Sequence, residues 1–158
     1  MFAAQLVQSA KDAGVVIATA ESCTGGLIAG AITDVPGSSA VLDRGFVTYS
    51  NASKVALLGV EMDMINREGA VAECVAAAMA SGALARSDAQ MTIAVTGVAG
   101  PGGTDAKPEG MVCFGLASTR GVTTETQLFG AIGRDKVRQA TVDHAVMLLL
   151  AEIARLYP

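Results

Sequence analysis

Five β-branched or apolar residues, Val15-Val16-Ile17-Ala18-Thr19, run into Ala20-Glu21-Ser22-Cys23-Thr24-Gly25-Gly26, and Leu27, Ile28, Ala31 and Ile32 then recur at helical spacing. Strand, tight turn and helix follow one another in this stretch. In an open α/β sheet such a turn lies beyond the carboxyl end of a buried strand, where ligand crevices form. Gly25 and Gly26 allow backbone to approach a ligand closely, and the helix start offers unpaired N–H groups. A βα turn capped by Ser or Thr with no further duty has the same look, so the stretch alone leaves both readings open.

The remaining elements follow from periodicity and breakers. Phe2 to Ala13 reads as a helix ended by Gly14, the first strand as Val15 to Ala20, and the next helix as Gly26 to Thr33. Pro36 to Ser39 reads as a loop, and a second strand spans about Gly45 to Tyr49. Ser50 or Asn51 caps a helix that runs to Leu58 and stops at Gly59. Helices are expected at Glu61 to Glu68 and Glu73 to Arg86, and a third strand at Met91 to Thr96 runs into a second glycine-rich loop, Gly97 to Gly103. Met111 to Ser118 and Val122 to Phe129 flank Arg120-Gly121, the pattern of a hairpin, and Asp135 to Leu156 forms a long closing helix. Strands joined through helices run parallel, whereas the hairpin sets Met111 to Ser118 antiparallel. The expected class is α/β: a three-layer α/β/α sandwich on a mixed, mostly parallel sheet of about five strands, with residues 1–158 as a single domain.

Composition narrows the chemistry. A net charge of −4 argues against a broad nucleic-acid surface. No apolar run reaches membrane-spanning length and the amino terminus has no secretory pattern, so a cytoplasmic protein without a membrane partner is expected. Cys23, Cys74 and Cys113 are odd in number and lack CxxC spacing, which fits reduced thiols. With one histidine and no ligand-spaced Cys/His set, neither a metal nor a cofactor is expected. The apolar composition and the long last helix suit a homo-oligomer, dimer or higher.

Two strand ends, after Ala20 and after Thr96, carry hydroxyl- and glycine-rich loops, and parallel neighbours would open both on one edge of the sheet. Lys54 falls in the first turn of a helix, where the dipole and partial burial would lower its pKa and free an amine to pair with a serine. A solvated surface lysine is the alternative. Arg134 and Arg138, four apart at a helix start, suit a phosphate or one or two surface salt bridges. Tyr49 ends the second strand and is placed to hydrogen-bond or stack in the crevice. Cys23 is a lesser candidate nucleophile, and His144 lies close to an apolar stripe, as a packed or interface histidine does.

Four ordered stretches then carry a resemblance. They are Glu21-Ser22-Cys23-Thr24-Gly25-Gly26; Arg44-Gly45-Phe46-Val47-Thr48-Tyr49-Ser50-Asn51 with Lys54; Thr96-Gly97-Val98-Ala99-Gly100-Pro101; and Arg134-Asp135-Lys136-Val137-Arg138-Gln139-Ala140. Together they resemble the CinA C-terminal domain family, which includes stand-alone nicotinamide-nucleotide amidohydrolases of the PncC type, and the chain looks like that stand-alone form. The resemblance implies hydrolysis of the carboxamide of nicotinamide mononucleotide, a small-molecule substrate, within pyridine-nucleotide salvage. It implies Ser22, Lys54 and Tyr49 as catalytic residues, with Thr24 the competing hydroxyl. Thr24, Gly25, Gly26, Thr96, Gly97, Gly100, Pro101, Arg134 and Arg138 are the implied substrate-binding set. An interaction module linked to competence or damage, or a nucleotide-binding protein without turnover, is the alternative.

Overall fold

The computed structural model describes residues 2–158. In chain order it contains α1 (Phe2–Ala13), β1 (Ile17–Glu21), α2 (Leu27–Thr33), a 3₁₀ turn at Ser38–Ala40, β2 (Leu42–Val47), α3 (Asn51–Leu58), α4 (Met62–Glu68), α5 (Glu73–Ala85), β3 (Met91–Gly97), β4 (Met111–Ser118), β5 (Gly121–Leu128) and α6 (Arg134–Leu156). The five strands form one sheet in the order β2-β1-β3-β4-β5. β1 pairs in parallel with β2 and β3, while β4 is antiparallel to both β3 and β5, so four strands point one way and β4 against them. This is the mixed three-layer architecture the connections require.

Strand alternation sorts the two faces. Ile17, Met91, Ile93, Val95, Val112, Phe114 and Leu116 face α1, α2 and α6 in a core of branched and aromatic side chains. Ala20, Ala94 and Ala117 face α3, α4 and α5. That second interface is built from small residues, and α5 lies close on it: a Cβ at Gly115 would sit 2.3 Å from the Ala76 carbonyl oxygen. Thr92 and Thr96 belong to the same face and donate their hydroxyls to Ala80 O (2.7 Å) and Ala70 O (2.9 Å). Small residues thus allow the close approach of α5 to this side of the sheet.

The largest departure from expectation is β2, which begins at Leu42 rather than Gly45 and ends at Val47, two residues short of Tyr49. It is an edge strand, and its exposed Asp43 and Arg44 pair with each other at 2.7 Å. Charge facing solvent on an edge breaks the apolar alternation that marks a strand in sequence. β1 starts at Ile17 rather than Val15, because Val15 N donates to Ala10 O (2.8 Å) and closes the end of α1. The loop at Pro36–Ser39 tightens into the 3₁₀ turn, and α6 begins one residue early, at Arg134. Among the described residues no helix is long and apolar enough to cross a membrane.

The carboxyl ends of β1, β2 and β3 lie on one edge of the sheet, in register at Glu21, Val47 and Val95. The chain leaves β5 on that same edge before entering α6. The segments after all four strands therefore converge there.

Candidate active site

Glu21 and Ser22 are adjacent, so the pleat sends their side chains to opposite faces. Glu21 turns toward α2, and Ser22 toward α3, the helix that carries Lys54. Ser50 caps α3 by accepting from Ser53 N (3.0 Å), and Gly59 ends it in the left-handed region. Only 1% of Lys54 is exposed. Its Nζ donates to Ser22 Oγ (2.8 Å), Thr48 O (2.8 Å) and Tyr49 O (3.2 Å). Burial pulls the Lys54 pKa below its ordinary value, because removal from water disfavours the charged amine. Three acceptors match the three N–H bonds of an ammonium. On deprotonation the two carbonyls can retain two N–H bonds, which leaves the lone pair toward Ser22 Oγ.

The turn after β1 is held from both sides. Ser22 N donates to Val95 O (3.1 Å) and Gly25 N to Ser22 O (3.1 Å). Gly25 and Gly26 adopt φ of +58° and +105°, values that L side chains rarely take. Arg138 donates from Nε to Cys23 O (3.1 Å) and from Nη2 to Thr24 O (3.2 Å). Among the described residues the N–H groups of Cys23, Thr24 and Gly26 have no acceptor. Backbone donors therefore stand free within four residues of the Ser22 hydroxyl.

A cavity of about 190 Å³ opens over this pair, lined by Ser22, Cys23, Tyr49, Asn51, Lys54, Ala70, Val71, Thr96, Gly97, Ala99 and Arg134. A wider depression of about 940 Å³ between α1 and the end of α6 is lined by Ser9 and Asp12 among others, but by none of the residues of the four quoted stretches. At the mouth of the smaller cavity Tyr49 is 61% exposed. Its hydroxyl accepts from Arg134 Nη2 (2.9 Å), while Arg134 Nη1 donates to Gly100 O (2.6 Å).

The structure brings some of the expected residues together and sets others aside. Ser22, Lys54, Tyr49, Thr96, Gly97 and Arg134 line one cavity. Thr24 does not: it is wholly buried and donates its hydroxyl to Glu21 Oε1 (2.7 Å), so its oxygen is committed elsewhere. Gly25, Gly26, Gly100 and Pro101, expected to bind substrate, do not line the cavity, and the Gly100–Pro101 peptide is cis. Arg138 faces the turn's carbonyls rather than the opening. Cys23 lines the cavity, yet burial pushes its thiol up to about 11, so thiolate is scarce at neutral pH. His144 lies away from it, against Glu125 and edge-on to Phe114, ring centres 4.7 Å apart. Sequence reasoning gave Asn51 a capping role only and gave Glu21 none. Their sole signal was position inside the quoted stretches. Among the described residues no three His, Cys, Asp or Glu side chains converge on a metal site.

The CinA C-terminal domain model matches residues 1–153. A nicotinamide-nucleotide amidohydrolase PncC of Escherichia coli is 44% identical over 147 residues, covering 92% of this chain and 88% of that protein. A CinA-like protein of Chlorobium phaeobacteroides is 61% identical over 120 residues, 73% of this chain and 29% of the relative. The chain spans about a third of the length of the first curated relatives it matches. Among solved structures, the competence/damage inducible protein CihA of Agrobacterium tumefaciens superposes with a TM-score of 0.93 at 47% identity, over 95% of this chain and 92% of that one.

Proposed function

This chain belongs to the CinA C-terminal domain family, and from that premise we propose that it hydrolyses the carboxamide of nicotinamide mononucleotide to nicotinate mononucleotide and ammonia, as residues 1–158 acting in one domain. The observation that carries this reading is the buried contact of 2.8 Å between Lys54 Nζ and Ser22 Oγ. Stripping a lysine of water costs stability, and a module that only binds gains nothing from a nucleophile beside a desolvated amine. The relative named a nicotinamide-nucleotide amidohydrolase supports the choice of amide.

The steps follow from the atoms present. Ser22 Oγ attacks the carboxamide carbon as Lys54 Nζ, neutral, takes its proton. The oxygen that becomes anionic is met by free backbone donors, the N–H of Cys23 being the one on the residue after the nucleophile. Each such donor is worth roughly 10²–10³ in rate. Lys54 returns the proton to the amide nitrogen, ammonia leaves, and an ester on Ser22 remains. Water attacks the ester with Lys54 again as base, releasing the carboxylate and restoring the serine. The cavity receives the pyridine ring, and the nucleotide extends toward Tyr49 and Arg134 at the mouth. Arg134, exposed and lining the cavity, is assigned the phosphate; Arg138 is only partly exposed, does not line the cavity and is turned to the carbonyls of Cys23 and Thr24.

Nicotinamide riboside, which lacks the phosphate, is expected to have a lower kcat/KM than the mononucleotide. Arg134→Ala should raise KM for the mononucleotide and leave the riboside value nearly unchanged, with a loss of at most about 1.5–3 kcal/mol for a charge-assisted contact. Steady-state ammonia release from both substrates checks this, and equal use of the two by the wild-type protein would remove phosphate recognition.

The pH dependence has a definite sign. Lys54 is active when neutral, so kcat/KM should rise with pH through its lowered pKa and then level off. Lys54→Arg should show no such rise and no rescue, since guanidinium stays protonated. Stability moves the same way. Between the lowered folded pKa and the ordinary lysine value the unfolded chain binds more protons, so unfolding free energy increases with pH across that window. A kcat/KM profile that falls with pH over the same range would be incompatible with Lys54 as base.

Exposed Leu27, Val47 and Ile132 support the homo-oligomer expected from composition, and a cytoplasmic setting is part of the same proposal.

A further inference from the structure

Glu21 is buried completely at the end of β1 and touches none of the reacting atoms. Its Oε1 accepts from Thr24 Oγ1 (2.7 Å) and Ile28 N (2.8 Å), and its Oε2 from Ala29 N (3.0 Å) and Thr19 Oγ1 (3.3 Å). No arginine, lysine or histidine pairs with it among the described residues. The carboxylate is instead accommodated by hydrogen-bond donors and by the positive end of α2.

An ordinary cap would place a serine, threonine or aspartate at the residue just before α2. Here that position is Gly26, with no capping side chain. The capping group comes from five residues further back, inside the sheet. The result is a closed ring of bonds: β1 backbone, Glu21 side chain, the first turn of α2, and the Ser22–Gly26 turn between them. Thr24 is the second tie, joining the middle of the turn to the same carboxylate. Ser22 is thus held by a short loop whose two ends meet on one buried side chain, while Arg138 holds the outer carbonyls at Cys23 and Thr24.

We propose that Glu21 is a positioning residue for the Ser22 nucleophile, its carboxylate acting through Thr24 and the α2 N-terminus to keep the Ser22 hydroxyl against Lys54 and the Cys23 N–H beside it. The inference rests on the reading of Ser22 as nucleophile. A glutamine at position 21 keeps the shape, but its NH₂ would face N–H or O–H donors where the second carboxylate oxygen accepted them. The turn then loses part of its hold, and a misplacement of about 1 Å at a reacting atom costs up to ~10² in rate.

The test is covalent labelling of the full chain by a serine-directed fluorophosphonate, followed in time and mapped by mass spectrometry. Its amplitude reports the folded fraction and its rate constant reports how well Ser22 is presented. Well below the unfolding temperature, Glu21→Gln is expected to lower that rate constant roughly 10- to 100-fold and kcat by the same factor, with KM for nicotinamide mononucleotide little changed. Thr24→Val should move both in the same direction, and Thr24→Ser, which retains the hydroxyl, should restore them. A Glu21→Gln protein with reduced amplitude but an unchanged rate constant would make Glu21 merely a stabilising residue and overturn the proposal. Should Glu21→Gln not fold, an unchanged rate constant in Thr24→Val overturns it equally. Wild-type protein unlabelled at Ser22 would instead overturn the reading of the nucleophile, and this inference with it.

Discussion

Ser22→Ala and Lys54→Ala are each expected to lower kcat for nicotinamide mononucleotide by more than ~10²-fold, the low end for a positioned general base. The reason is that neither group has a substitute in the cavity. Thr24 lies buried with its hydroxyl donated to Glu21, and the Cys23 thiol is pushed up to about 11 by desolvation. The double variant should be little slower than either single one, because a nucleophile and its base contribute as a unit and the second loss removes nothing that remains in use. Cys23→Ser should keep much of the activity. Burst and steady-state ammonia release, with circular dichroism to show that each variant is folded, measures all four proteins. Near wild-type turnover by Ser22→Ala, beside an inactive Cys23→Ser, would move the nucleophile along the turn. Losses that multiplied in the double variant would separate the two residues into independent roles.

Gly82→Ala is expected to destabilise the protein and, with it, the site. The change places the best helix former inside α5 and by propensity alone should stabilise by about 1 kcal/mol. Packing reverses the sign. A Cβ at Gly82 would lie 1.9 Å from the Leu58 carbonyl oxygen and 2.8 Å from its carbon. These are backbone atoms at the end of α3, so no side-chain rotation relieves the overlap, and α3 or α5 must shift. Overpacking of this kind costs typically about 1–3 kcal/mol, sometimes more, which outweighs the propensity gain. At roughly 2–4 °C of melting temperature per kcal/mol for a chain of this size, the fall should be evident by calorimetry. Because α3 carries Lys54, kcat should fall at temperatures where the variant is still folded. Gly30→Ala is the control: nothing lies within 4 Å of a Cβ there, so only the propensity gain should register. A Gly82→Ala protein as stable as the parent would mean that α3 and α5 can part without strain.

Much of the fold was legible. β4 and α1 have the bounds expected of them, Met111–Ser118 and Phe2–Ala13: β4 is buried on both faces and reads as a near-continuous apolar run between turn residues, and α1, with one buried face, repeats its apolar residues at the helical period. The direction of β4 followed from its short turn to β5. β2 was misplaced because an edge strand needs no apolar alternation on its outer residues, and Asp43 and Arg44 are such residues. At the site, the glycine-rich turn and the convergence of strand ends could be read from chain order. The division of labour between the arginines could not. Arg134 and Arg138 share a helix face, yet one spans Tyr49 and Gly100 while the other grips Cys23 and Thr24.

The sequence by itself determined the order of strands, turns and helices, the layering, and the stretches that bear hydroxyl, amine and guanidinium groups, since periodicity and turn chemistry act over a few residues and are written in them. Only the tertiary structure decided what those groups do. Lys54 and Ser22 stand 32 residues apart in the chain and 2.8 Å apart in space because β2 lies in parallel register beside β1 and α3 returns over the small-residue face of the sheet. The lysine that sequence left open as a surface charge is desolvated by that packing, and the glutamate beside the serine is turned the other way by the pleat. A side chain's partners and its hydration are set by what the whole chain packs around it, and local sequence does not contain them.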